Sequence, residues 1–539
     1  MIRLLGGYLA TGLMIAGAGL IGAPPAGSSA LDLRMHAVLL TSGNTADSPL
    51  GNGTALIVGA SGLPVPPAGY VDAADTYYLA PRGFGGTTQA VVTPESLWPL
   101  TGVKNLTTDE SFAQGGQILA NAITQQIAGG QVDAANPVVV FGYSQGAVVE
   151  TEAMKLLAEQ GVPSDYVHFV MLGNPANPDG GILERFNVPI DGVSPTIPSF
   201  GLTFSGATPA DLYPTNIYTI EYDGFANFPR YPINFLADLN AFLGMGFSHG
   251  AYLGLTAEQI QDAIQLPAAA DSLTDYYMIP ADSLPLLAPL QFLPVIGMPL
   301  YDLLEPATSI LVNLGYGCIT DAWCEVTDAS APTTFGLFPT NLDWAEVATA
   351  LGNGVQQGIA DAIRDLQDPA TYQPTSVLDT PALQGLLETA YRIVGGTVGN
   401  PTPTWGEMVQ VGLNLLNNAV PGSISGVTID SPPIDIFNAL IANVSNDYAT
   451  LLPIADTFNA LLITLPSVAI SFIAQQAADG NLLGGIGEAL AAATALLPLG
   501  IGFGIVAPVV EAVGLNVINL VNLFPGALED LANLLPDIP

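Results

Sequence analysis

Two pentapeptides in this chain fit the pattern Gly-x-Ser-x-Gly: Gly142-Tyr-Ser144-Gln-Gly146 and Gly246-Phe-Ser248-His-Gly250. The chemistry such a pattern supports is attack by a serine hydroxyl on an acyl carbonyl. It requires a buried strand before the serine, a sharp turn at it and a helix after it, so that Oγ is thrown out above the sheet. Small residues on both sides relieve the crowding of that turn. With 59 glycines in the chain, the pattern alone is weak. Context separates the two copies. Ser144 follows Val138-Val-Val-Phe141 and precedes a run of helix formers, whereas Ser248 follows Phe235–Leu243, which has helical character. Ser144 is therefore the candidate nucleophile, and the second match is a coincidence of pattern.

A serine hydroxyl attacks well only when a base removes its proton. The chain holds three histidines. His36 lies before the first core strand, and His168 sits within a strand, where a satisfied core histidine is expected. His249 lies beyond the last clear strand in a glycine-flanked loop, the place of the base in the chain order Ser…Asp…His. A carboxylate must hold that base in one tautomer and stabilise the imidazolium. Asp223, directly after the strand ending Ile220-Glu-Tyr222 and before Gly224, has the expected position. Its competitors are Asp238, on a helix, and Asp179, after the third strand. The oxyanion formed on attack needs N–H donors. One is the amide of Gln145, the residue after the nucleophile. The other falls in the loop Gly59-Ala-Ser-Gly62, with Ser61 and Gly62 as candidates. This chemistry calls for no metal and no cofactor.

Such residues must be held by a sheet. Apolar runs predict strands at Thr54–Val58, Pro137–Phe141, Tyr166–Leu172 and Asn216–Tyr222, with helices over Asp109–Ile127 and Ala147–Glu159. Strands alternating with helices predict an α/β-hydrolase-type fold, a mostly parallel sheet with helices on both faces. This unit is placed at residues 50–325. Within it, residues 276–316 are rich in Leu and Pro and make a poor regular helix. They either cap an apolar cleft or pack along the domain. Residues 332–539 predict an apolar, mainly helical C-terminal region interrupted by Gly and Pro. Its uncharged stretch Ala489–Val510 has the length of a membrane span. However, Pro498, Pro508 and three glycines interrupt it, and Glu488 and Glu511 flank it without Lys or Arg. A buried or lipid-facing helical hairpin is expected there instead.

Composition narrows the partners. A length of 539 residues predicts two to four units. Nine basic against 47 acidic residues give a net charge of −38, which excludes nucleic acid as a partner. Only 10% of residues are charged and 49% are apolar, with a mean hydropathy of +0.45, so contact with lipid or a membrane is expected. After Arg230 only Arg364 and Arg392 are basic, which removes any polybasic attraction to anionic headgroups from the final third. Residues 1–30 have one early positive charge, an apolar run and small residues up to Ala30. They predict either a cleaved signal peptide or an N-terminal anchor, and export in both cases. Export and an even count predict that Cys318 and Cys324 form a small disulfide loop.

Several motifs together resemble the PE-PPE domain, an α/β-hydrolase family of mycobacterial envelope proteins related to cutinases and lipases. They are Gly142–Gly146, Tyr222-Asp-Gly-Phe-Ala-Asn-Phe-Pro-Arg-Tyr-Pro232, Ser248-His-Gly-Ala-Tyr252, Val92–Gly102 and Leu314-Gly-Tyr-Gly317. The resemblance runs from about Gly53 to Gly317. It implies a Ser–Asp–His triad on Ser144, Asp223 and His249, and hydrolysis of acyl esters of envelope lipids or acyl transfer between envelope glycolipids of the trehalose type. Two departures stand out. The sequence opens on an apolar leader where the family has a PE or PPE helical module, and Asn227 stands where Asp is expected, which strengthens Asp223 as the triad acid. The region after about residue 366 is not explained by the family. A non-catalytic envelope protein that binds lipid or a partner on the same fold is the alternative of a different class.

Overall fold

The computed structural model describes residues 50–372, 380–393 and 432–509, apart from positions 99, 102–104, 190–191, 199, 341 and 479, and a few isolated positions beyond. The leader at 1–30 and His36 lie outside the described residues.

Seven strands form the central sheet: β1 (Thr54–Val58), β2 (Thr87–Ala90), β3 (Val138–Tyr143), β4 (Val167–Leu172), β5 (Thr215–Ile220), β6 (Ile264–Leu266) and β7 (Thr274–Ile279). Their order is β2-β1-β3-β4-β5-β7-β6. All neighbours run parallel except β6, which pairs antiparallel with β7 at the edge. Every residue of β3 and β5 is buried, and β3 accordingly runs apolar from Val138 to Phe141, whereas β5 buries Thr215, Asn216 and Thr219 among its apolar residues. Successive side chains fall on opposite faces. Leu56, Val58, Val138 and Val140 pack beneath α1 (Thr108–Ala128) and α2 (Gln145–Glu159). Ala55, Ile57, Val139 and Phe141 pack on the other side against Tyr70, Tyr78 and Tyr252. The core is thus two layers, one on each face of the sheet.

The chain leaves β1 toward β2 on one side and returns to β3 on the other. The strand order reverses there, and a crevice opens at the carboxyl ends of β1 and β3. The loop Gly59–Gly62 and Ser144 stand at those two ends.

The Leu/Pro-rich segment departs from expectation. Its first residues complete β7, an interior strand, and beyond α3 (Phe235–Phe247, between β5 and β6) Gly297–Asn313 forms a continuous helix, α4, that carries Pro306 inside it. The segment is fastened to the domain: Leu284 and Val312 share a buried cluster with Tyr222 and Ala237, and the Leu286 amide donates to Asn240 Oδ1 at 2.8 Å. Tertiary packing here outweighs the low helix propensity of proline. Cys318 and Cys324 form a disulfide.

Beyond it lie α5 (Trp344–Gln367) and α6 (Pro381–Ile393). Then α7 (Pro432–Asn459) runs through a π turn at Ala460–Thr464 into α8 (Leu465–Ala478). The chain reverses at Gly480, which has φ +80°, and Asn481 caps α9 (Leu482–Ile501) by accepting from the Gly484 amide at 3.1 Å. A π turn at Gly502–Val506 extends α9. Ala489–Val509 is therefore one arm of a hairpin with α8 rather than a hairpin by itself. Helix α9 passes through Pro498 because its apolar face is packed along its length, on α8 and on the α/β domain.

Candidate active site

Strand β3 delivers Ser144 at φ +59° and ψ −115°, a left-handed position that non-glycine residues avoid. Such strain persists only where the surroundings fix it. The Ser144 amide donates to the Leu172 carbonyl at 2.9 Å, which pins the turn to β4. A Cβ on Gly146 would lie 2.4 Å from the Gly59 carbonyl oxygen, and one on Gly142 2.6 Å from the Gly146 carbonyl carbon. The two glycines of the pentapeptide are thus demanded by contact, the first with the turn and the second with the loop after β1. Ser248, the second match, ends α3 and is buried, with no strand before it.

His249 opens a 3₁₀ helix, His249–Gly254, and is buried. Its Nε2 lies 2.7 Å from Ser144 Oγ, and its Nδ1 lies 2.7 Å from Asp223 Oδ2. A carboxylate only accepts, so Nδ1 carries the proton and Nε2 is left to accept from the serine hydroxyl. Asp223 is fully buried after β5. Its Oδ1 accepts from the amides of Phe225 and Ala226 at 2.9 and 3.3 Å. The preceding residue, Tyr222, has φ +62°, so the turn that presents the carboxylate is strained as the serine turn is. The competitors are elsewhere. Asp179 pairs with Arg185 at 3.2 Å, and Asp238 is buried on α3, where burial pushes its carboxyl up to about 9. His168 hydrogen-bonds Asn216 Oδ1 at 2.7 Å inside the sheet.

The loop after β1 corrects one expectation. The Gly62 amide donates to the Glu95 carbonyl at 2.7 Å, so it is spent and cannot serve an oxyanion. The Ser61 amide has no acceptor among the described residues. The Gln145 amide, at the first position of α2, has no intrahelical acceptor. Gln145 also ties the two halves together through its side chain. Its Oε1 accepts from Ser61 Oγ at 2.8 Å, and its Nε2 donates to the Ser96 carbonyl and Ser111 Oγ at 3.1 and 2.8 Å.

Two tyrosines escaped the sequence reading. Tyr252 donates to Asp223 Oδ2 at 2.8 Å and accepts from the Ile220 amide at 2.8 Å. The Tyr143 hydroxyl donates to the His249 carbonyl. Burial holds both phenols well above their usual range, so they remain donors. The spacing His249-x-x-Tyr252 carries the signal, because residues i and i+3 eclipse in a 3₁₀ helix. It becomes visible only once that helix is known.

Glu95 lies beneath the same loop with φ +44°, and Oε1 accepts from Thr93 Oγ1 at 2.8 Å while Oε2 has no partner among the described residues. Burial pushes its carboxyl up to about 8. The folded protein therefore keeps a proton that the unfolded chain releases above its ordinary value near 4.5. This stabilisation is complete below about pH 4.5 and is lost as pH rises through about 8, a span worth on the order of 3–5 kcal/mol. Asp238 and the buried Glu150 act in the same direction. The melting temperature is expected to fall from pH 5 to pH 9, and Glu95→Gln, which cannot ionise, to flatten that fall. An unchanged slope in thermal melts would show that Glu95 is not protonated in the fold.

Residues 85–317 match the PE-PPE domain. The chain is 39% identical over 455 residues to the uncharacterized PPE family protein PPE28 of Mycobacterium tuberculosis, covering 82% of this chain and 63% of that protein. It is 44% identical over 327 residues to esterase PE16 of the same organism, covering 59% of this chain and 58% of the esterase. It is 28% identical over 200 residues to diacyltrehalose acyltransferase Chp2, also of that organism, covering 35% of this chain and 52% of the relative. The chain spans about six tenths of the length of PPE28 and PE16.

Proposed function

Since residues 85–317 form a PE-PPE domain, we propose that the chain is an exported, envelope-associated serine esterase that hydrolyses acyl esters of envelope lipids through an acyl-enzyme on Ser144. The observation that carries this reading is the hydrogen-bonded chain from Ser144 Oγ through His249 to Asp223, with 2.7 Å at each link.

Ser144 Oγ bonds to the ester carbonyl carbon as its proton passes to His249 Nε2, and Asp223 stabilises the imidazolium. The amides of Gln145 and Ser61 hold the oxyanion. As the tetrahedral intermediate collapses, the C–O bond to the alcohol breaks and the imidazolium returns the proton to that oxygen. Water then repeats the sequence on the acyl-enzyme and frees the acid.

Acyl transfer is the second reading, favoured by the likeness to the diacyltrehalose acyltransferase. A sugar hydroxyl then takes the place of water. The likeness to the esterase is the greater in identity and in coverage, which puts hydrolysis first. Incubation with an acylated trehalose and an acceptor sugar separates the two. Free fatty acid as the main product is expected; a new sugar ester as the main product would replace hydrolysis by transfer. Neither product, from folded protein, would leave a lipid-binding protein without catalysis.

A further inference from the structure

The C-terminal hairpin reaches the candidate site from far along the chain. The Phe225 ring lies 4.6 Å from the His249 ring, and Phe503 lies 5.9 Å from Phe225 and 5.8 Å from Phe242. Ala495 and Leu499 of α9 join the same buried cluster. A Cβ on Gly502 would sit 2.3 Å from the Phe242 ring, so glycine there lets the helix backbone press onto it. One edge of the hairpin thus packs on Phe225, whose ring lies against His249.

Among the described residues, the hairpin leaves large apolar side chains uncovered. Leu462, Ile470, Leu483, Leu490 and Val506 are between 51 and 80% exposed. Over their most apolar stretches, the arms Asn443–Ala478 and Leu482–Val509 have mean hydropathies of 1.8 and 2.0 but are only 11% and 33% buried. They are therefore not core helices. Nor can α9 be surrounded by lipid, because one side of it is packed on the α/β domain. Helices apolar on one face and held to a folded domain on the other belong at the surface of an acyl-chain layer.

Charge narrows the layer further. No Lys or Arg follows Arg392, and the chain carries −38 overall. Apolar burial must drive insertion with no headgroup attraction, and anionic lipids oppose it.

We propose that the hairpin of α8 and α9 is the lipid-docking lid of this site: its outer face inserts into uncharged acyl-chain surfaces, and its Phe503 edge opens the way from them to His249 and Ser144. The coupling to turnover rests on the esterase reading; the lipid surface does not.

The test uses the full chain and two substrates, a soluble short-chain p-nitrophenyl ester and a long-chain ester embedded in phosphatidylcholine vesicles. Flotation with phosphatidylcholine vesicles is expected, insensitive to salt and weakened by adding phosphatidylglycerol. Leu483→Asp with Leu490→Asp is expected to weaken flotation and turnover of the embedded ester at least tenfold, with the soluble ester within twofold. Ile470→Asp, on the other arm, should act in the same direction and provides a second variant should the first not fold. The proposal is overturned if the wild type does not float, if phosphatidylglycerol strengthens binding, or if the variants leave both substrates alike. It is also overturned if a lipid-free dimer that the variants dissociate accounts for the exposed face. Flotation that the variants abolish, in a protein inert toward both esters, would keep the lipid surface and remove the esterase reading.

Discussion

Ser144→Ala is expected to lower turnover of a soluble p-nitrophenyl ester by about 10⁴-fold or more, and to abolish labelling by a fluorophosphonate. The size follows from what the hydroxyl does: without Oγ no acyl-enzyme forms, and His249 has nothing to deprotonate but water. The residual rate would come from the amides of Gln145 and Ser61 acting on bound ester. The fold should survive. The Ser144 side chain makes no capping bond to α2, and its hydrogen-bond partner among the described residues is His249. Alanine meets the same backbone demand at φ +59° as serine does. A stability change within about 1 kcal/mol is expected, read as a melting temperature close to that of the wild type. Equal rates in the two proteins would remove Ser144 from the chemistry.

Asp223→Asn is the second large effect. The carboxylate accepts from four donors: His249 Nδ1, the Tyr252 hydroxyl, and the amides of Phe225 and Ala226. An asparagine can keep its oxygen toward the two amides. Its NH₂ then faces His249 Nδ1–H and Tyr252 O–H, two donors against a donor. His249 is released from its tautomer, and Nε2 takes the proton it should accept. A fall in kcat of about 10³–10⁴-fold is expected, with KM for a small ester little changed. Stability should also drop, by about 1–3 kcal/mol, because a buried donor loses its acceptor. A rate within tenfold of wild type would assign the acid's role to another group.

How much of this was legible beforehand depended on range along the chain. The nucleophile turn needs only a buried strand, two small residues and a helix within some twenty positions, and Val138–Glu159 carries all of them. His249 stands out as the candidate base because the chain has three histidines, and Asp223 as the candidate acid because it follows a strand between Ser144 and His249. The parallel sheet was legible where its strands are buried on both faces. Strand β2, Thr87-Thr-Gln-Ala90, was not, because an edge strand alternates exposed and half-buried residues and has no apolar run. Strand β7, Thr274-Asp-Tyr-Tyr-Met-Ile279, was not either, because it mixes Thr and Asp with its apolar residues and runs directly into a proline-rich tract.

By itself, then, the sequence determined the turn, the chain order of Ser144, Asp223 and His249, and the apolar, nearly cation-free character of the C-terminal third. Each is a local or compositional property. Tertiary structure decided which amides remain free for an oxyanion, since the Gly62 N–H is taken by Glu95. It brought Tyr252 onto the far side of the acid through a 3₁₀ turn. It also set Phe503 against Phe225, the ring that lies on His249, more than 250 positions beyond that histidine. These are pairings between distant segments, and no local pattern fixes them because each depends on how the sheet packs and where the hairpin lands.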